Sequence, residues 1–160
     1  MVAPIVIDAD IRRASTLPST FYRDPAYLAA AREKIFAPSW QLAGDTQRLK
    51  SPGSVLPCSL LEGCLDEPIL FTRDARDTIH CVSNVCTHRG NLLVQGEGSA
   101  PSIRCRYHGR RFALDGKFVS MPEFEEAEGF PSPADDLPQV AFARYEQLLF
   151  ASVEIGRAHV

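Results

Sequence analysis

Two stretches decide the fold: Cys86-Thr87-His88-Arg89-Gly90 and Cys105-Arg106-Tyr107-His108-Gly109, with sixteen residues between His88 and Cys105. Each stretch offers one thiol and one imidazole, and both groups are common metal ligands. Two Cys and two His suit either a tetrahedral zinc site or a 2Fe–2S cluster in which two His replace two Cys on one iron. The choice between these metals decides whether the chain is a structural module or an electron carrier.

The spacing of the ligands favours iron over zinc. Finger-type zinc sites pair like ligands, as Cys-x₂₋₄-Cys followed by His-x₃₋₅-His. Both stretches here are mixed, and only one residue separates Cys86 from His88. A two-iron cluster needs loops that each reach both irons, with a sulfur for one iron and a nitrogen for the other. Mixed loops meet that need, so we expect a 2Fe–2S cluster and keep zinc as the less favoured alternative.

The two stretches, followed by Phe112 and Asp115-Gly116, resemble the Rieske domain in the alpha (large) subunit of ring-hydroxylating non-haem iron oxygenases. The resemblance implies a fold of stacked antiparallel β-sheets that carries the cluster on two loops. It also implies that two Cys hold the inner ferric iron and two His hold the outer iron that is reduced: Cys86, Cys105, His88 and His108. Further residues are expected to support the cluster from nearby, through loop turns and contacts to its sulfurs: Arg89, Gly90, Tyr107 and Gly109.

One position departs from the family pattern. The family commonly has Trp after the second His-Gly, whereas this chain has Arg110-Arg111. The position lies beside the cluster loop, so the change bears on loop packing or on a partner contact and leaves the ligands intact.

The class of Rieske protein follows from three positions. Respiratory Rieske proteins carry a disulfide between their cluster loops, and the corresponding residues here are Asn91 and Tyr107, which cannot form one. Those proteins also place a potential-raising Ser where this chain has Arg110. Rieske potentials range from roughly −150 to +300 mV. We therefore expect a centre near the low end, of the oxygenase type.

Composition limits the compartment and the partners. The chain has 160 residues and a net charge of −3, which gives no reason to expect nucleic acid or membrane binding. Cys58, Cys64 and Cys81 have no framework spacing, so they are expected to be small buried thiols in strands. Neither a secretory leader nor a long apolar run is visible. A cytoplasmic location is expected.

The rest of the chain predicts a mainly β domain preceded by a helix. Asp24-Pro25 opens a helix that the apolar spacing extends to Ala37, and Trp40 is expected in the core. Short apolar segments bounded by Pro, Gly and Asp predict strands at Trp40–Ala43, Ser54–Leu61, Pro68–Arg73, Thr78–Asn84, Ser102–Arg104, Phe112–Ala113, Lys117–Val119 and Gln147–Val153. We expect a leader and helix at 1–38 and the Rieske domain at 39–154.

The histidines indicate what is missing. The family has a C-terminal domain with mononuclear Fe(II) on two His and one carboxylate. Beyond the two cluster ligands only His80 and His159 remain, too far apart in sequence for such a triad. The catalytic domain is therefore expected to be absent and the fragment inactive alone. Residues 155–160 match the translation of a common sequencing adapter, and we interpret them as a non-native tail.

Two functions remain after this reading. The first is an oxygenase relay that takes electrons from a reductase or ferredoxin and passes them to a mononuclear Fe(II) for O₂-dependent hydroxylation, in a homo-oligomer of the trimer type. The alternative is a free-standing Rieske-type ferredoxin. Such carriers start directly with the β-domain, so the helix between Asp24 and Trp40 favours the oxygenase.

Overall fold

A computed structural model describes residues 4–124 and 126–154 of the chain. Among these residues, ten strands pair antiparallel throughout. The strands are β1 Gln41–Asp45, β2 Ser54–Leu60, β3 Glu67–Arg73, β4 Ile79–Ser83, β5 Gly98–Ser99, β6 Ile103–Arg104, β7 Arg111–Phe112, β8 Phe118–Ser120, β9 Ala141–Tyr145 and β10 Leu148–Ser152. They form three sheets, in the orders β1-β10-β9, β4-β3-β2-β5 and β6-β7-β8. The predicted mainly β fold of stacked antiparallel sheets is confirmed.

The four-stranded sheet is the middle layer, because both of its faces are buried. Successive side chains of a strand point to opposite faces. On β3, Leu70 packs towards β6 and β7, whereas its neighbours Ile69 and Phe71 pack towards β10. Two buried sides explain why the sequence of β3 is nearly continuously apolar instead of alternating.

One of the two cores lies directly beneath the predicted cluster ligands. It is formed by buried side chains of the middle sheet, of the β6-β7-β8 sheet and of the connecting segments. Its members are Val55, Leu70, Val82, Cys86, Leu93, Ile103, Cys105, Phe112, Leu114 and Leu137. Both cysteines that are predicted to bind the cluster are thus part of a hydrophobic core, which restricts their positions.

All eight predicted strands are present, with ends shifted by up to two residues. The prediction missed β5 and β9. The β9–β10 hairpin turns at Glu146-Gln147, which carries no Gly, Asn or Asp. Glu146 adopts a φ of 52° there, a conformation that sequence rules assign to those residues. The usual turn signal was therefore missing, and β9 was invisible in the sequence.

The predicted helix begins where expected and ends differently. The Asp24 carboxylate accepts a hydrogen bond from the Ala26 amide at 2.9 Å, as an N-cap should. A short helix, α1 (Ser19–Arg23), precedes the capped helix α2 (Pro25–Ala31). The chain then continues as a π-helix over Arg32–Phe36, so the predicted α-helix to Ala37 is shorter than expected.

The expectation for Trp40 was wrong. Its side chain is 44 % exposed, outside the core. It lies between the helical segment and β1. The expectation of three buried strand thiols holds for Cys81 alone. Cys58 lies in β2 but is only partly buried, and Cys64 is partly buried in the loop between β2 and β3.

His80 is a strand residue with a local partner. It lies on β4 and its Nε2 is 3.0 Å from the Asp74 carboxylate in the β3–β4 turn. This bond, with those from the Thr78 and Arg76 amides, lowers the pKa of Asp74 to about 2 despite partial burial. His80 therefore supports a hairpin and is separate from both cluster loops.

The remaining expectations concern membrane spans, the domain boundary and the C-terminal tail. None of the helices in 4–124 and 126–154 is long and apolar enough to cross a membrane. The boundary between residues 38 and 39 stays a prediction. The proposed tail at 155–160, including His159, lies outside the described residues.

Candidate metal centre

The first cluster stretch forms a closed loop at one end of the sheets. We call residues 86–91 loop 1. The Cys86 amide donates to the Asn91 carbonyl oxygen at 2.9 Å, and the Gly90 amide donates to the Cys86 carbonyl oxygen at 3.0 Å. Gly90 has a φ of 67°, in the left-handed region that favours glycine. A side chain at this position would meet no neighbour, so the backbone angle is the reason for the glycine.

The second stretch closes in the same way. We call residues 105–110 loop 2. The Cys105 amide donates to the Arg110 carbonyl oxygen at 2.8 Å, and the Gly109 amide donates to the Cys105 carbonyl oxygen at 3.1 Å. Gly109 has a φ of 79°, and a Cβ there would lie 3.3 Å from Pro122. Both loops are therefore six-residue turns with the glycine at the fifth place, although their histidines stand at the third and fourth places.

This shared geometry turns backbone amides towards both sulfurs. The amides two and three residues after each cysteine donate to its sulfur: His88 and Arg89 to Cys86, and Tyr107 and His108 to Cys105. Hydrogen bonds from amides stabilise a thiolate or a metal-bound sulfur. The loops are thus built to hold anionic sulfur away from water.

The two cysteines form a pair in the buried part of the site. Their thiols hydrogen-bond to each other, and Nδ2 of Asn91 lies 3.7 Å from Sγ of Cys105. Burial raises the pKa of Cys86, and the contact with Cys105 adds to this rise. Burial also opposes ionisation of Cys105, but hydrogen bonds from the Tyr107 amide, Cys86 and other donors outweigh it and lower the pKa of Cys105. These donors therefore favour the thiolate form at Cys105 over that at Cys86.

The two imidazoles form a second pair, nearer to solvent. The rings of His88 and His108 lie 4.9 Å apart at an interplanar angle of 68°. Burial lowers the pKa of His88, and electrostatic interactions with the neighbouring His108, Arg89 and Arg110 lower it further. This favours the neutral imidazole, which is the form that binds a metal.

Tyr107 contacts an imidazole through its ring. The side chain is 58 % exposed, and its ring centroid lies 3.7 Å from that of His108 at an angle of 31°. Tyr107 contacts the sulfur of Cys105 through its backbone amide, and Nδ2 of Asn91 contacts the same sulfur. Arg89, the fourth residue of loop 1, is exposed to solvent.

The donor set fits a Rieske cluster. The two sulfurs are buried and in contact, and the two imidazoles lie together nearer to solvent, which matches one iron with two thiolates and a second iron with two His. Within the part of the chain that the structure describes, no three Cys, His, Asp or Glu side chains converge on a single metal-ion position. The four predicted ligands are brought together in two pairs.

Arg110 lies inside the site and not on its surface. Only 3 % of the residue is exposed, although it stands where the family commonly has Trp. Its Nη1 donates to the Thr87 hydroxyl at 2.8 Å, and its Nη2 lies 3.1 Å from Oδ1 of Asp135. The guanidinium carbon is 5.4 Å from the ring centroids of both Phe118 and Phe130. A paired cation packed against two neighbouring aromatic rings therefore occupies the place expected for an aromatic side chain.

Sequence reasoning missed the partners of Arg110. Asp135 lies 25 positions away in a short 3₁₀-helix, Pro133–Asp135, and no local pattern links it to loop 2. Hydrogen bonds from the Ser132 amide lead the interactions that lower the pKa of Asp135, and the Arg110 charge adds to them. The one available signal was the Arg-for-Trp exchange itself.

Comparison with known proteins agrees with the fold and the loops. The sequence profile of the Rieske [2Fe-2S] domain matches residues 39–138. The chain belongs to this family, and its cofactor is the Rieske-type 2Fe–2S cluster.

The similar proteins are oxygenases. Choline monooxygenase of Amaranthus tricolor, a chloroplastic protein, is 36 % identical over 110 residues, which is 69 % of this chain and 24 % of that protein. The glycine betaine monooxygenase oxygenase subunit of Chromohalobacter salexigens is 32 % identical over 86 % of this chain and 30 % of its own length. The structure of the quaternary ammonium Rieske monooxygenase CntA with gamma-butyrobetaine superposes with a TM-score of 0.80 at 26 % identity, over 92 % of this chain and 41 % of that one. The chain thus spans less than half the length of these relatives.

Proposed function

We propose that this chain is the electron-relay domain of a Rieske oxygenase, in which Cys86, Cys105, His88 and His108 hold the 2Fe–2S cluster. The observation that carries the proposal is the division of the site into a buried sulfur pair and an outer imidazole pair. The relay would run from a reductase or ferredoxin to a mononuclear Fe(II) that hydroxylates a substrate with O₂. The oxygenase relatives support this direction of transfer.

The cysteines and the histidines would have different roles in electron transfer. A Rieske cluster in this site supplies one-electron chemistry. The buried cysteines and their amide donors hold the sulfurs and exclude water. The exposed His108 and the half-buried His88 provide the short route between the centre and a partner surface. Neutral imidazoles in place of two thiolates make the reduced state less negative and easier to reach.

The two loops and the strands beside them carry exposed arginines, while the segment that contains Glu123 and packs Phe124 against His88 is acidic. Four exposed arginines lie in or beside the loops: Arg89, Arg104, Arg106 and Arg111. None of them forms an ion pair with another described residue. Opposite charges on two proteins speed their encounter and fix its orientation. We propose that the electron donor presents an acidic face to these arginines.

Charge reversal at Arg106 tests the acidic donor. With an acidic ferredoxin as donor, Arg106→Glu should slow cluster reduction about tenfold at low salt, and raising the ionic strength should shrink the difference. The measurement is stopped-flow reduction of the reconstituted chain. Arg144→Glu, an exposed arginine on β9 in another sheet, is the matched control and should change the rate little. An equal effect of both variants would contradict the proposed surface.

Spectroscopy of the purified chain tests the cluster itself. The anaerobically reconstituted protein should be red-brown, contain two irons and two acid-labile sulfides, and give a rhombic spin-resonance signal after reduction. A colourless protein that binds zinc and no sulfide would contradict the iron site.

The other parts of the proposal concern the complete enzyme. Among the described residues, no set of three His, Asp or Glu suits a mononuclear iron, so we propose that this chain alone does not hydroxylate a substrate. Oxygen uptake by the reduced chain, tested with and without a separate oxygenase domain, measures this. A homo-oligomer of the trimer type and a cytoplasmic location remain proposals, and several similar proteins are chloroplastic.

A further inference from the structure

Buried Arg110 forms an ion pair with the partly exposed Asp135, and the same guanidinium contacts Thr87 of loop 1. We propose that Arg110 is a positioning residue that links the two loops, and that the pair sets the reduction potential of the centre, with Arg110 favouring the reduced state and Asp135 opposing it. The inference rests on the proposed cluster ligation and goes beyond it, because neither residue is a ligand.

The contacts of Thr87 show how Arg110 links the two loops. Thr87 stands between the two predicted ligands of loop 1, and its hydroxyl accepts from Arg110 at 2.8 Å. The same hydroxyl donates to the Asp135 carbonyl oxygen at 2.8 Å. Arg110 is also the last residue of loop 2, where its carbonyl oxygen accepts from the Cys105 amide. A single residue therefore connects the backbone of one loop to the side chain of the other.

Asp135, the partner of Arg110, is itself held in place by hydrogen bonds. The Ser132 amide and hydroxyl donate to Oδ2 of Asp135 at 2.8 and 3.0 Å, which leaves Oδ1 for Arg110. The next residue, Asp136, accepts from the Phe118 amide at 2.7 Å on the β7–β8 hairpin. Asp135 is thus a fixed counter-charge held by the fold, and it cannot swing away to solvent without breaking these bonds.

The electrostatic part follows from burial. Reduction adds one electron to the centre, so a nearby cation stabilises the reduced state and a nearby anion destabilises it. Arg110 is shielded from water by Phe118 and Phe130, and its Nε contacts Sδ of the buried Met121 at 3.3 Å. A unit charge roughly 10 Å from a redox centre, at an effective dielectric constant of about 20, changes the reduction equilibrium about tenfold. Salt screens such a buried charge weakly.

A double-mutant cycle on the midpoint potential of the reconstituted chain tests the proposal. Arg110→Met removes the cation and should disfavour reduction about tenfold, which is a potential lower by about 59 mV for one electron. Asp135→Asn leaves the cation without its counter-charge and should favour reduction by a similar factor. The double variant should return close to the starting potential. A purely structural role would not produce opposite shifts from the two single variants.

Arg106→Met is the matched control, because Arg106 is an exposed arginine in the same loop. Its smaller shift should disappear at high salt, whereas the shifts from the Arg110–Asp135 pair should persist. Shifts of the same sign from both single variants, or no shift from either, would overturn the proposal. If Arg110→Met does not hold its cluster, Asp135→Asn decides alone, since an unchanged or lowered potential there would also overturn it. Failure of the ligation proposal would differ, because the unaltered chain would then assemble no cluster.

Discussion

Cys105→Ser is expected to abolish assembly of the 2Fe–2S cluster. The thiolate is the form of cysteine that binds iron, and a serine hydroxyl remains protonated at neutral pH. Cys105 is also the sulfur whose pKa is lowered by amide donors, so the loss removes the better thiolate of the pair. Visible absorbance, iron content and acid-labile sulfide should all fall to background after reconstitution.

A second cysteine provides the control for this result. Cys64 lies in the β2–β3 loop, is partly exposed and belongs to neither cluster loop. Cys64→Ser should therefore assemble a full cluster with an unchanged spin-resonance signal. Retention of sulfide by Cys105→Ser, or equal loss in both variants, would mean that the ligands were assigned wrongly.

Phe112→Ala is expected to have the largest effect on stability. Phe112 is 0 % exposed and packs in the core that contains both ligand cysteines. Truncation of a buried phenylalanine costs about 3–5 kcal/mol, from lost burial and from the cavity left behind. Domains are stable by only about 5–15 kcal/mol, so this is a large share. Denaturant unfolding of the cluster-free chain measures the loss.

Removal of an exposed aromatic side chain is the control for Phe112→Ala, because it removes a ring without disturbing the core. Tyr145 is 69 % exposed at the end of β9, and Tyr145→Ala should change the free energy of unfolding by less than about 0.5 kcal/mol. Phe112→Ala should also lose its cluster faster than the control, because the core beneath loop 1 and loop 2 is loosened. A loss below about 1 kcal/mol would show that this core is not what holds the loops.

Local sequence patterns predicted most of the strands, the start of the helix and the two groups of candidate ligands. Eight of the ten strands were visible as short apolar segments between turn residues. The helix start at Asp24 was visible because a capping residue acts on the amide two positions ahead. Strand β9 was not, because its turn uses Glu146 in a left-handed conformation without a glycine.

Burial was less predictable than secondary structure. Trp40 was expected inside and is exposed, while Arg110 was expected to affect packing or a partner and lies buried. Residue type gives only an average tendency towards burial. Whether a given side chain is covered depends on which distant segments pack over it, and a single sequence without known contacts does not contain that information.

The sequence by itself determined the family of this chain, its Rieske-type cofactor and the identity of the candidate ligands. It could do so because each loop is a local unit, in which a cysteine, a histidine and a left-handed glycine lie within five residues. Only the tertiary structure decided that the sulfurs pair inside and the imidazoles pair outside, and that Arg110 meets Thr87 and Asp135 behind them. Those contacts join segments 23 and 25 positions apart, and they exist only when the sheets have packed and excluded water around the charge.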